Sequence, residues 1–72
     1  MTDAPTITVQ LNGESTEIPQ GLTVLALLAH LSIAPTGVAI ERNRAVVRRV
    51  DHAQVVVEAG DELEIVQFVG GG

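Results

Sequence analysis

The chain has 72 residues, of which 46% are hydrophobic but only 1% aromatic, and its net charge is −5 at pH 7. A chain this short forms one domain with a small aliphatic core and has no room for an enclosed active site. The absence of cysteine excludes disulfides, thiolate metal sites and cysteine nucleophiles, and the acidic balance favours an electropositive protein partner over nucleic acid or an anionic membrane.

The first predicted element is a β-hairpin. Apolar and polar residues alternate over Thr6–Leu11, which is the pattern of a half-buried strand. The following Asn12-Gly13 pair favours a type I′ turn, because both central positions of that turn need positive φ. We expect a second strand over Ser15–Ile18, ended at a sheet edge by Pro19, which has no N–H to donate.

The second element is an amphipathic helix with Thr23 as its N-cap. Four apolar residues fall at the spacing of one helical face: Val24, Leu27, Leu28 and Leu31. The helix should end within Ser32–Pro35, because the residue before proline is disfavoured in the helical region. We expect the apolar face to lie across a sheet.

Shorter elements follow the helix. Val38–Ile40 is predicted as a third strand, Glu41–Arg44 as a polar turn and Ala45–Val47 as a short return strand. The segment 48–53 is polar and compatible with one helical turn, and Val55–Val57 is an apolar run.

The last predicted element is a strand that begins after Gly60 and runs into the final glycines. In it, Leu63 and Ile65 alternate with Glu62 and Glu64. Glycines have no side chain to pack and lose much backbone entropy on ordering, so we expect residues 70–72 to leave the sheet as a mobile tail.

This element order predicts an α+β fold with the outline of a ubiquitin-like β-grasp domain over residues 1–72. One helix packs on one face of a mixed sheet. A right-handed crossover through the helix allows the last strand to lie parallel to the first, in the middle of the sheet. A central last strand would hold the root of the tail rigidly.

The glycine tail is the first candidate functional feature. From Val69 to Gly72 an extended chain reaches roughly 13–14 Å, at ~3.3–3.6 Å per residue. That reach can thread a terminal carboxylate into the active site of another protein. A narrow passage admits backbone but no row of Cβ atoms, which explains glycine at positions 70, 71 and 72. The alternative is a frayed end or a cloning scar without function.

A second candidate is the surface beside the tail. If Leu63 and Ile65 face the core, Val66 and Phe68 face outward on the side of the acidic residues. An exposed apolar pair predicts a docking patch for a partner. The alternative is a bulge near Gln67 that turns Phe68 inward.

The remaining polar residues offer weaker signals. Asp61, Glu62 and Glu64 are expected on a solvated face, either as ordinary surface charge or as carboxylates that recognise a partner. His30 and His52 stand far apart without the neighbours of a metal site, so structural or surface roles are favoured.

Other classes of function are disfavoured. No glycine-rich loop joins a strand to a helix, which argues against nucleotide binding. No apolar run reaches the length of a membrane span and no signal segment is seen, so we expect a cytoplasmic protein. All four basic residues are arginines, so there is no lysine on which modifier chains could be built.

Five motifs occur in a fixed order along the chain: Asn12-Gly13, Leu22-Thr23-Val24, Val38–Asn43, Gly60–Val66 and Val69–Gly72. Each is weak alone, but the ordered set resembles the β-grasp sulfur carriers, and within them the ThiS family. The family often has proline near Arg48 and an aromatic residue near His52, and this chain has neither. Both differences fall in a surface turn.

The resemblance implies that a ThiF-like adenylyltransferase uses ATP to adenylate the Gly72 carboxylate, with no cofactor bound by this chain. A sulfur donor, such as a cysteine desulfurase, then displaces AMP, and the thiocarboxylate delivers sulfur to a ThiG-like thiazole synthase. A thiocarboxylate carries sulfur without cysteine. On this reading the chain is a protein co-substrate and not an enzyme.

Two alternatives stay open from the sequence. The small subunit of molybdopterin synthase resembles this chain in fold and also ends in Gly-Gly, although such relatives tend to be longer between helix and final strand. A ubiquitin-like binding module without covalent chemistry is the other alternative.

Overall fold

The computed structural model describes residues 5–68 of the chain. Within them lie five strands: β1 (Thr6–Leu11), β2 (Glu14–Pro19), β3 (Val38–Arg42), β4 (Ala45–Val46) and β5 (Glu62–Gln67). One α-helix, α1, spans Val24–His30, and a 3₁₀ helix spans Arg49–Asp51. The predicted α+β class is confirmed. In residues 5–68 no helix is both long and apolar enough to cross a membrane.

The sheet has the strand order β2-β1-β5-β3-β4. Strand β5 is parallel to β1, with Gln10 opposite Glu62, and antiparallel to β3, with Ile40 opposite Ile65. The predicted central position of the last strand, parallel to the first, is therefore confirmed. This is a β-grasp fold.

The core lies between the sheet and α1, and it is entirely aliphatic. Its buried residues are Val9, Ile18, Val24, Leu27, Leu28, Ile40, Val57, Leu63 and Ile65. Leu31, the fourth residue of the predicted helix face, is partly buried against this core. Thr23 caps the helix as predicted, because its Oγ1 accepts a hydrogen bond from Ala26 N–H at 3.0 Å.

The two hairpin turns use the same backbone geometry. Asn12 and Gly13 have φ of 49° and 83°, as the predicted type I′ turn requires. Asn43 and Arg44 also have positive φ, 52° and 70°, and they alone form the β3–β4 turn. The predicted four-residue turn is wrong because its first two residues continue β3 and pair with β4.

Strand boundaries differ from the predicted ones by one or two residues. β2 includes Glu14 and Pro19, which pair with the two ends of β1. β4 ends one residue earlier than expected, at Val46, although Val47 N–H still donates to Ile40 O at 2.9 Å. The segment 49–51 forms the expected single turn, as a 3₁₀ helix.

Candidate functional site

On its β1 side, β5 is held first by backbone and then by a side chain. Asn12 N–H donates to Leu63 O at 2.8 Å, just past the end of β1. The Asn12 side chain then accepts from Ile65 N–H at 2.8 Å and donates to Ile65 O at 3.2 Å. One amide thus replaces the donor and acceptor of a further strand residue. The sequence pattern predicts only a turn role for Asn12, and this pairing is a second role.

On its β3 side, β5 is held by backbone over its whole length. Asn43 N–H donates to Glu62 O at 2.7 Å at the start of the strand. At the other end, Phe68 N–H donates to Gly37 O at 2.8 Å. The chain is therefore held by β3 and the residue before it, up to the last residue that the structure describes.

The tail itself lies outside the described residues. The predicted mobile glycines, Gly70 and Gly71, and the predicted site of chemistry, Gly72, all follow residue 68. The structure thus describes the root of the tail and the surface around it.

Val66 and Phe68 form an exposed apolar pair at the end of β5, here called the exit patch. The two residues are 51% and 63% exposed, on the sheet face opposite α1. The predicted outward orientation is confirmed. The alternative bulge near Gln67 is wrong, because Gln67 stays in register opposite Val38.

Three carboxylates lie on this open face near the start of β5. Glu62 and Glu64 are exposed as predicted, and Glu64 stands directly opposite Glu41 of β3. Like charges placed opposite each other in a sheet are unfavourable. A groove of about 400 Å³ runs between these carboxylates and the two hairpin turns, lined by Gln10, Gly13, Glu41, Arg44, Glu62, Leu63 and Glu64.

Asp61 does not belong to this exposed acidic face, and its predicted place on the solvated face beside Glu62 and Glu64 is wrong. It is only 6% exposed. Its Oδ2 accepts from Arg42 Nε at 2.7 Å and from Glu58 N–H at 2.8 Å, while Oδ1 accepts from Asn43 Nδ2 at 3.1 Å. Asp61 therefore joins the β3–β4 turn to the loop before β5, and both of its carboxylate oxygens already accept hydrogen bonds within the fold.

The protonation of Asp61 follows from these contacts. Burial by itself would raise the pKa of the carboxyl group. The hydrogen bonds from Glu58 N–H, Arg42 and Asn43, together with the Arg42 charge, outweigh burial and hold the pKa of Asp61 below its ordinary value.

The two histidines take the structural and surface roles that the sequence favoured. His52 is 4% exposed, and its ring Nε2 lies 3.0 Å from Val47 O, while His30 is exposed at the end of α1. Within residues 5–68, no three side chains of His, Cys, Asp or Glu come together as a metal site would need.

The fold, the central β5 and the sequence of the tail can now be compared with known proteins. A sequence profile of the ThiS family matches residues 9–72, which includes β5 and all three terminal glycines. The chain belongs to the ThiS family. This is a family of small sulfur-carrier proteins of thiamine biosynthesis.

Solved structures agree with this assignment. The crystal structure of a thiamine biosynthesis protein (ThiS) from Geobacter metallireducens is 30% identical and superposes with a TM-score of 0.78, covering 92% of this chain and 100% of that one. An NMR solution structure of a thiamine biosynthesis protein from the same organism, also 30% identical, gives a TM-score of 0.75 over 92% of this chain and 88% of that one.

Two curated relatives are much longer than this chain. Both are named thiazole synthase. The protein from Magnetococcus marinus is 45% identical over 64 residues, and that from Paramagnetospirillum magneticum is 47% identical over 62 residues. These matches cover 89% and 86% of this chain but only 20% and 19% of the relatives. The chain thus spans about a fifth of their length.

Proposed function

We propose that this chain carries sulfur on the carboxyl group of Gly72 for the formation of a thiazole ring. A ThiF-like adenylyltransferase would transfer AMP from ATP to that carboxylate and release pyrophosphate. A sulfur donor, such as a cysteine desulfurase, would supply a persulfide whose outer sulfur displaces AMP. A thiol reductant would then cleave the resulting acyl disulfide and leave a thiocarboxylate. The chain is then a protein co-substrate of these enzymes.

The main observation in support of this proposal is the match to the ThiS family, which includes β5 and the glycines after it. β5 lies between two strands, and its end stays paired on the β3 side, so that end has a fixed position. Glycines let backbone continue from there into a narrow site. A carboxylate is a poor electrophile for sulfur until adenylation gives it a good leaving group. No cysteine in the chain could hold the sulfur instead.

We propose a ThiG-like thiazole synthase as the sulfur acceptor. In two proteins named thiazole synthase, a segment similar to this chain is part of the same polypeptide. That arrangement supports an acceptor of the same kind here. It also favours thiazole formation over the molybdopterin pathway.

We propose the exit patch as the surface that docks the adenylating partner, with Glu62 and Glu64 steering it. Both apolar side chains of the patch are more than half exposed beside the residues that lead into the tail. The opposed pair Glu41 and Glu64 costs the isolated sheet stability, and a basic partner would relieve that repulsion.

The test is the intact mass of the protein after incubation with the adenylyltransferase, ATP and a sulfide source. We expect the mass increase of one oxygen replaced by sulfur, located at Gly72 by fragmentation. The mass of the protein recovered from its native cell also shows whether the natural chain ends at Gly72, as the proposal requires.

The matched controls are a chain with one residue added after Gly72 and a chain without Gly72. Both should keep the thermal stability of the parent, because neither changes the described fold. Neither should become adenylated. Normal activation of the extended chain would contradict a role for the terminal carboxylate and favour a non-covalent binding module.

A further inference from the structure

Within the described residues, Gln67, the last residue of β5, is paired on one side only, opposite Val38. Phe68 N–H bonds to Gly37 O, so the even-numbered residues of β5 direct their backbone groups towards β3. The odd-numbered residues direct theirs the opposite way, as the bonds of Leu63 and Ile65 to Asn12 show. Gln67 N–H and C=O therefore point towards the β1 side.

On that side, the described chain provides no strand next to Gln67. β1 ends at Leu11, and the Asn12 side chain supplies the last pairing, at Ile65. The chain then turns back into β2, which lies on the far side of β1. The short free edge of β5 at Gln67 is here called the exit edge.

The surroundings of the exit edge define what could bind there. On the open sheet face, an added strand would place side chains against Val66 and Phe68, which form the exit patch. On the other face it would meet the exposed Gln67 side chain. The nearest charge on the open face of β5 is Glu64, so the edge fits an extended segment with apolar and basic residues on that face.

We propose that an extended segment of the adenylating partner adds to the exit edge as a further strand and pairs with Gln67 N–H and C=O. This rests on the proposed function, because it names how the enzyme that activates Gly72 holds the carrier. Glycines present only backbone groups for recognition, and strand addition recognises backbone directly. Gln67 would be the residue of the carrier whose backbone pairs with the partner's strand.

Amide hydrogen exchange tests the proposal in the unmodified protein. In the free carrier, Val66 and Phe68 amides should be protected by β3, and the Gln67 amide should exchange faster than both. With the adenylyltransferase bound, the Gln67 amide should slow by on the order of tenfold or more. A Gln67 amide that keeps its free exchange rate in the complex overturns strand addition.

Two substitutions at Gln67 distinguish a role of its backbone N–H in binding from a role of its side chain. Gln67→Pro removes the N–H, whereas Gln67→Ala keeps it and removes only the side chain. We expect the proline variant to bind the adenylyltransferase about five- to tenfold more weakly than the alanine variant, the size of one lost hydrogen bond. Equal affinities would overturn the proposal. If the proline variant fails to fold, the amide exchange decides.

The two proposals can fail separately. If the carrier is adenylated while the Gln67 amide stays unprotected in the complex, only strand addition falls. If the carrier is not adenylated, the proposed function falls and strand addition by that enzyme falls with it.

Discussion

At the start of β5, Asp61 and Leu63 are almost completely buried, whereas at its exit Val66 and Phe68 are more than half exposed. The start is bonded on both sides, to β1 and to the β3–β4 turn. Within residues 5–68, the exit is bonded only to β3 and to Gly37 just before it. Residues 61 to 68 therefore combine a buried anchor, formed by Asp61 and Leu63, with the exposed exit patch. Substitutions at the two ends should have opposite effects on folding and binding.

The largest expected effect is a difference in stability between substitutions at the two ends of β5. Leu63→Ala should lower the free energy of unfolding by ~2–5 kcal/mol, because it leaves a cavity in the core. Val66→Ala, three residues on, should change it by less than ~0.5 kcal/mol. Denaturant unfolding of the two variants measures both values. Equal losses would show that the exit is also part of the core.

The second expected effect is on affinity for the adenylyltransferase, which should depend on the exit of β5. Phe68→Ala should weaken affinity for the adenylyltransferase by ~2 kcal/mol or more if the ring fills a partner pocket. Its unfolding free energy should stay within ~0.5 kcal/mol of the parent.

Val46→Ala is the matched control for Phe68→Ala. Val46 lies on β4 on the same open face and is 71% exposed, but it is outside the exit patch. Its affinity should remain that of the parent. A large loss of stability in Phe68→Ala with unchanged affinity would place the ring in the core and refute docking.

The third effect concerns the anchor. Asp61→Asn should cost about 1–3 kcal/mol of stability, since the amide nitrogen cannot accept the hydrogen bonds that the carboxylate accepts from three donors. Glu62→Gln, at the next residue but exposed, should be close to neutral. Chemical unfolding compares them, and similar costs would mean that the Asp61 contacts add nothing.

The anchor also predicts the acid sensitivity of the fold. The pKa of Asp61 is lower in the folded state than in the unfolded state. Its contribution is therefore complete above the unfolded value, about 3.9, and is lost as pH falls through the folded pKa. Below about pH 4 the parent should lose stability more steeply than Asp61→Asn. Parallel curves of stability against pH would contradict this.

The smallest expected effect is on the rate of association, through electrostatic steering of the partner by Glu62 and Glu64. The double variant Glu62→Gln with Glu64→Gln should associate more slowly with a basic partner and show a weaker salt dependence, while dissociation changes little. Asp61→Asn should leave the association rate unchanged because the carboxylate is buried and paired. Stopped-flow binding at several salt concentrations distinguishes the variants. Equal slowing by Asp61→Asn would remove the distinction between anchor and surface.

Local pattern was enough to predict most of the fold. The alternation in β5 correctly placed Leu63 and Ile65 inside and Val66 and Phe68 outside. The Asn12-Gly13 pair correctly predicted the first turn, since its backbone demands are local.

Contacts between distant residues were not predictable in this way. Asp61 was grouped with Glu62 and Glu64 by its charge, although period 2 puts it on the same side as Leu63. Its partner Arg42 is 19 residues away, and the pairing of Asn12 with Ile65 spans 53 residues. Alternation could have indicated the burial of Asp61, but neither partner has a local signal.

The separation between Asn12 and Ile65 also affects how the protein is made. Synthesis runs from the N-terminus, so β5 is made after both of the strands that it lies between, β1 and β3. Contacts between such distant residues slow folding, because a long loop must close before they form. The exit edge therefore exists only after β5 has paired with β3.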